Sequence, residues 1–164
     1  MKLRIFNLVS VFVLLLATTA CGQQMPDKKD FPEAKPANYW KNVLSPEAYE
    51  IMVNRGTETP FDNPYWNNHQ KGVYVSAATG KPLFSSDAKF NSGTGWPSFY
   101  KPIDPDAIMI VKDYSLGMER DEVVERSTGL HLGHVFDDGP PPTGKRYCMN
   151  SYALKFVKAV KNNK

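Results

Sequence analysis

Cysteine and histidine are scarce in this sequence, and their scarcity narrows the chemistry. With two cysteines and three histidines in 164 residues, the chain lacks the paired Cys or His ligands that a closed structural zinc site demands. Basic clusters are missing too. Setting aside the first twenty residues leaves 18 Lys and Arg against 17 Asp and Glu, a formal charge of +1, and the Lys28-Lys29 pair runs straight into Asp30. A protein that tracks a phosphate backbone needs a basic stripe or patch, so nucleic-acid binding has little support. No internal repeat is present, and the main apolar-leaning run, residues 8–17, is too short to cross a hydrocarbon layer of about 30 Å.

What stands at the N-terminus is an export pattern. Lys2 and Arg4 precede the apolar run, which ends in Ala17-Thr18-Thr19-Ala20-Cys21-Gly22, a small residue before a cysteine where a bacterial lipoprotein peptidase would cut and a lipid would be attached. Thr18 departs from the Leu that such signals more often carry three residues before the cysteine. Residues 1–20 are therefore expected to be a signal peptide and Cys21 a lipid anchor. The expected location is the bacterial cell envelope, on the membrane and facing the periplasm or exterior. Residues 21–37 carry Pro26, Pro32 and Pro36 among polar residues, with Phe31 as the single large aromatic. They read as a flexible linker, because such a stretch buries too little apolar surface to offset its ordering entropy.

The remaining length suits one domain, taken as residues 38–160 with a short tail at 161–164. A helix is signalled near its start: Ser45 suits the N-cap, Pro46 the first helical position, Glu47 the positive dipole end and Gly56 the stop. Tyr49, Met52 and Val53 share one face, and Leu44 can pack on Tyr49 as a hydrophobic staple. Beyond Pro60 the pattern turns to short β-type runs at 73–75, 107–112, 122–126, 131–136 and 146–156, separated by Gly, Pro, Asn and Asp. The expected class is α+β, mainly β, with antiparallel sheets and a peripheral N-terminal helix.

Once Cys21 is assigned to lipid, one thiol remains, in Arg146-Tyr147-Cys148-Met149-Asn150. A lone cysteine is most often a small buried hydrophobe. Here strand alternation would place Arg146, Cys148 and Asn150 on one face, so that a cation and an amide flank the sulfur. His131 and His134 precede the turn that leads into this strand, and a hairpin would bring them to the thiol. Their spacing sends them to opposite faces of a regular strand, so both can address Cys148 only if the backbone near Gly133 is irregular. Gly95-Trp96-Pro97 with Phe99 reads equally as a core corner or as the apolar wall of a ligand site.

Three segments, Gly93-Thr94-Gly95-Trp96-Pro97-Ser98-Phe99, the run from His131 to Pro140, and Arg146 to Ser151, together resemble the B-type methionine sulfoxide reductases. The likeness runs in order from about Trp40 to Phe156, with Gly56-Thr57-Glu58 and Thr59-Pro60-Phe61 near its start. It implies two antiparallel sheets in a tent-like domain and reduction of the R epimer of methionine sulfoxide. It further implies Cys148 as nucleophile, His134 and then His131 as proton donors, Asn150 beside the sulfoxide oxygen, and Trp96, Phe99 and Arg146 around the substrate. Two departures matter. Thr94 stands where many members place a resolving cysteine, so the oxidised Cys148 would need an outside thiol, such as a thioredoxin-like protein, unless an unlipidated Cys21 reaches it. Members that bind zinc carry two Cys-x-x-Cys pairs, whereas Ser76, Thr79, Glu125 and Thr128 stand here, so no zinc or other cofactor is expected. The residues alone leave two alternatives: a cysteine hydrolase built on Cys148, histidine and Asn150, or a module that binds oxidised side chains at Trp96 and Phe99 without turning them over.

Overall fold

A computed structural model describes residues 30–160. The expected signal peptide, Cys21 and the tail at 161–164 lie outside the described residues. Helices α1 (Ala37–Val43) and α2 (Pro46–Met52) come first, followed by β1 (Gly72–Ser76), β2 (Pro82–Ser85), β3 (Lys89–Phe90), β4 (Ser98–Phe99), β5 (Ile108–Asp113), β6 (Arg120–Glu125), β7 (His131–Phe136), β8 (Arg146–Met149) and β9 (Leu154–Lys158). The strands form two sheets, ordered β2-β1-β9 and β3-β4-β8-β7-β6-β5, and neighbouring strands pair antiparallel. This is the α+β, mainly β architecture that the sequence predicts.

Aromatic residues fill the core. Phe84 and Phe99 stack with ring centroids 4.6 Å apart, Tyr74 meets Phe99 edge-on at 5.0 Å, and Leu83, Leu132, Met149 and Val123 are fully buried around them. Helix α2 adds Ala48, Ile51 and Met52 to the same core, and Leu44 and Tyr49 pack against it half-buried. Its start is as expected, since the Ser45 hydroxyl accepts the Ala48 N–H at 3.2 Å and Pro46 takes the first position. Its end is not. The helix stops at Met52, and the left-handed residue is Arg55 (φ 60) in place of Gly56. The Arg55 side chain reaches the buried Glu122 carboxylate, and a buried charge needs such a partner.

One element was not foreseen, and two expectations are corrected. Helix α1 carries no start signal, for Pro36 offers no capping side chain and the first turn has no acidic residue; burial of Trp40 in the core holds it. The linker does not stay free up to residue 37. The Phe31 ring lies over Gly129, the Glu33 N–H donates to the Ser127 carbonyl at 2.7 Å, and Lys81 pairs with Glu33 at 2.5 Å. Finally, the run at 146–156 is not one strand. It breaks at Ser151–Ala153 into a 3₁₀ turn and crosses from the larger sheet to the smaller. Glu58 makes the break, its carboxylate accepting the Ser151 N–H at 2.6 Å and the Tyr152 N–H at 3.0 Å.

A second buried carboxylate ties the sheets together. Glu125 at the end of β6 accepts hydroxyl hydrogens from Ser76 (3.0 Å), Thr128 (2.9 Å) and Thr79, and both Glu125 and Ser76 are fully buried. Hydroxyls from the β1 turn and the β6–β7 turn thus converge on one anion. Removing the anion leaves buried hydroxyls without an acceptor, each costing about 1–3 kcal/mol. Glu125→Ala should therefore lose about 3 kcal/mol of stability in urea unfolding, whereas Lys71→Ala, which removes an exposed ion pair, should cost less than about 1 kcal/mol.

Candidate active site

The site is assembled by three neighbouring strands. In the β7–β8 ladder His134 is the cross-strand partner of Cys148, and in the β4–β8 ladder Ser98 is. Directly opposed residues point to one face, so imidazole, thiol and hydroxyl share a side of the sheet. His131 joins them because the β6–β7 register shifts between Val123 and Val124, pairing Glu122 with His134 but Val124 with His131. The extra residue in β7 cancels the odd spacing, and the two imidazoles meet edge-on with centroids 5.4 Å apart. The irregularity expected near Gly133 is this shift.

Cys148 opens onto a cleft of about 140 Å³ whose walls include Trp96, His134, Phe136, Asn150 and Thr57. Its sulfur lies 4.0 Å from the Thr94 hydroxyl. Burial pushes the thiol above its ordinary range, opposed by the Arg146 charge and by hydrogen bonds from Thr94 and Ser98. Arg146 is committed elsewhere, clasping Asp138 through two bonds of 2.8 Å and lying 4.4 Å over the Phe136 ring.

The two histidines have different surroundings. The His134 Nε2 meets Asp113 Oδ2 at 2.8 Å, and Asp113 is also held by Arg120 at 2.6 Å. Burial lowers the His134 pKa and the Asp113 bond works to raise it. Burial also opposes the Asp113 charge, yet bonds from His134 and Ser115 and the Arg120 cation outweigh it and keep the carboxyl well below the usual range. His131 is almost fully buried, with Nδ1 bonded to Glu122 at 2.6 Å. Burial, helped by the Arg55 charge, pushes its pKa down to about 4, so it is neutral near pH 7. It lines a separate polar cavity behind the cleft and reaches the front through Asn150, whose amide nitrogen stands 3.4 Å from its Nε2.

Asn150 is pinned at both ends of its amide, which donates to the Leu132 carbonyl at 3.2 Å and accepts the Glu58 N–H at 3.3 Å. Trp96 lines the cleft with its indole N–H donated to the Glu58 carbonyl at 3.2 Å. Phe99 is not a wall of the site. Strand alternation turns Ser98 toward Cys148 and Phe99 into the core, where it is fully buried. Asp113, Glu122 and Glu58 were not singled out from the sequence, because isolated acidic residues on strands carry no spacing signal; Glu58 stood within a recognised segment but without a role.

Among the described residues no group of three or more His, Cys, Asp or Glu is placed to hold a metal ion. The residues at the zinc-bearing positions of the resembling family do not fit that ion, since three are hydroxyls already donated to Glu125 and none is a thiolate.

A β-rich scaffold that sets a half-buried thiol against an imidazole backed by a carboxylate is the architecture of a thiol-dependent enzyme. The SelR domain profile matches residues 44–158, and the chain belongs to the SelR domain family. It is 56% identical over 117 residues to a peptide methionine sulfoxide reductase MsrB of Methanosarcina barkeri, covering 71% of this chain and 82% of that one. Proteins of the same name from Methanosarcina mazei and Agrobacterium fabrum are 55% and 50% identical, covering 73% and 71% of this chain and 85% and 87% of theirs.

The seam between β7 and β8 tolerates no side chain at Gly133, where an added Cβ would stand 2.1 Å from the Cys148 carbonyl oxygen and 2.9 Å from Met149 Cα. Both are backbone and cannot move aside singly. Gly133→Ala should therefore destabilise the fold by about 2 kcal/mol or more and reduce thiol-dependent activity. Denaturant unfolding and turnover of the same sample check both effects.

Proposed function

We propose that this chain is a peptide-methionine (R)-S-oxide reductase, which returns methionine R-sulfoxide in oxidised proteins to methionine. The observation that carries the reading is the cross-strand pairing of Cys148 with His134, whose imidazole is backed by Asp113. A sulfoxide sulfur is electrophilic, but its oxygen leaves only when protonated. Cys148, as thiolate, attacks that sulfur while protonated His134 gives its proton to the oxygen. The attack forms an S–S bond, the twice-protonated oxygen leaves as water, and water attacking the Cys148 sulfur breaks the S–S bond, releasing methionine and a proton and leaving a Cys148 sulfenic acid. Atoms balance as thiol plus sulfoxide giving sulfenic acid plus thioether. The substrate sulfur gains the electron pair that the cysteine sulfur loses.

The same reading gives Trp96 the substrate methyl group and makes Asn150 a fixed wall beside the sulfoxide, its amide hydrogens being held by Leu132 and His131. His131, neutral and set behind Asn150, orients that amide and does not donate the proton; Arg146, clasped by Asp138, tempers the thiolate. Thr94 can hydrogen-bond the sulfur but cannot form a disulfide with it. An outside thiol therefore condenses with the sulfenic acid, releasing water and forming a mixed disulfide, and a second thiol frees Cys148. A thioredoxin-like dithiol supplies both. We further place the protein in the cell envelope, with residues 1–20 as signal peptide and Cys21 as lipid anchor. We also assign it no zinc, the Glu125 hydroxyl cluster serving at that corner.

With dithiothreitol as donor, the protein should turn over R but not S methionine sulfoxide, and Cys148→Ser should abolish turnover. Mass analysis of Cys148 after one turnover without reductant should find one added oxygen; an acyl adduct from ester substrates would identify a hydrolase instead. A pH profile tests His134. Because Cys148 is shifted up and His134 down, the imidazole loses its proton first, and kcat/KM should rise with pH up to the His134 pKa, level off, and fall above that of Cys148. Asp113→Asn removes the group that raises His134, so the acid limb should move to lower pH and the plateau should drop. An unchanged profile would assign the proton to another group.

A further inference from the structure

Apart from the Cys148 cleft there is a second depression that the thiol chemistry does not use. It is a groove of about 170 Å³ lined by Trp66, Asn67, Asn68, Gln70, Lys89 and Asn91. Four of its ten lining residues, Asn67, Asn68, Gln70 and Asn91, carry side-chain amides. The Asn67, Asn68 and Asn91 oxygens are already bonded within their own loops, to His69 Nε2 (2.8 Å) and to the N–H groups of Gln70 (3.1 Å) and Gly93 (3.0 Å). What these amides have left for a ligand is their NH₂ hydrogens, donors suited to the carbonyl oxygens of an extended polypeptide.

Trp66 connects this groove to a ring pair. Its indole meets Phe61 edge-on with centroids 5.4 Å apart, and both rings are open to solvent, Phe61 by 55% and Trp66 by 37%. Phe61 is held at φ 63, a left-handed conformation that bulky residues avoid. The surrounding structure imposes it, since the Phe61 N–H donates to the Gly95 carbonyl at 2.9 Å and Asn63 donates to the same oxygen at 2.8 Å. This conformation keeps the Phe61 ring turned outward.

The two depressions share no lining residue, but a short series of contacts through the ring pair links them. Gly95, which grips Phe61, is flanked by Trp96 of the cleft wall and by Thr94, 4.0 Å from the Cys148 sulfur. Asn91 of the groove stands three residues before Thr94, a reach of at most about 11 Å along the chain. Cleft, rings and groove are therefore linked by contacts between the 61–70 and 91–96 segments. We propose that Phe61, Trp66 and the amide-lined groove form a binding site for the polypeptide that flanks the oxidised methionine. The sulfoxide side chain enters the cleft, an apolar neighbour lies on the two rings, and main-chain carbonyls meet the asparagine amides. This inference rests on the reductase reading.

The test compares two substrates in full-length protein with dithiothreitol as donor: N-acetyl-methionine R-sulfoxide, which has no flanking chain, and a ten-residue peptide with a central methionine R-sulfoxide and leucines two positions either side. Phe61→Gly removes the ring at a backbone angle that glycine adopts freely, and Trp66→Ala removes the other ring. Each should lower kcat/KM for the peptide by about fivefold or more, mainly through KM, and change it less than twofold for the small substrate. Equal losses on both substrates, or no loss on the peptide, would overturn the inference. Wild-type protein inactive on both would overturn the reductase reading and this inference with it. A second measurement does not depend on those variants: in Cys148→Ser, a peptide with a photoreactive phenylalanine two residues from the sulfoxide should crosslink within residues 61–70, and crosslinks confined to other segments would count against the site.

Discussion

Strands β7 and β8 approach so closely at Gly133 that even a methyl group there would collide with the Cys148 carbonyl. The reactive geometry follows from that approach. It sets the register in which His134 faces Cys148, and the register shift next to it in the β6–β7 ladder turns His131 to the same side. A side chain at 133 would force the strands apart and misplace thiol, imidazole and amide at once, which is why a residue that makes no polar side-chain contact governs the site.

Around this seam the fold buries four carboxylates, Glu58, Asp113, Glu122 and Glu125. A buried charge is costly unless donors surround it, and each of these is surrounded. Glu58 takes two backbone N–H groups and thereby breaks the last strand run. Glu125 gathers three hydroxyls at the corner between sheets. Glu122 is shared by Arg55 and His131, and Asp113 by Arg120 and His134. The first two shape the scaffold and the second two set the histidines, so the polar interior is divided between architecture and chemistry.

Much of this was legible in the sequence, because local signals and tertiary packing agree where regular elements are longest. Ser45-Pro46 announced α2, period-two runs announced β1, β5, β6, β7 and β8, and the run of glycines and aromatics at 93–99 marked a wall of the cleft. Local signals failed where tertiary contacts decide. Strands β3 and β4 are two residues each, too short for any periodicity, and α1 depends on burying Trp40. Phe99 looked like a ligand wall because its neighbour Trp96 is one, and only the pairing of Ser98 with Cys148 shows that it turns inward. The carboxylates behind the histidines lie 9 residues away in one case and 21 in the other, separations that no motif spacing encodes.

The unequal histidines bear on how the Cys148 thiol rests in the free protein. Burial, helped by the Arg55 charge, keeps the His131 ring neutral near pH 7. With its Nδ1 hydrogen given to Glu122, its Nε2 accepts from Asn150 and stiffens that amide. His134 lies nearer solvent with Asp113 behind it, the better place to hold a proton. Yet burial pushes Cys148 up and His134 down, so the free protein holds thiol and neutral imidazole, and the thiolate–imidazolium pair is a minor state. A thiol is a far weaker nucleophile than a thiolate, so the resting sulfur is protected from stray oxidants. In the proposed reaction a sulfoxide oxygen entering beside His134 would add an acceptor for the imidazolium proton, so that substrate binding itself would favour the reactive pair.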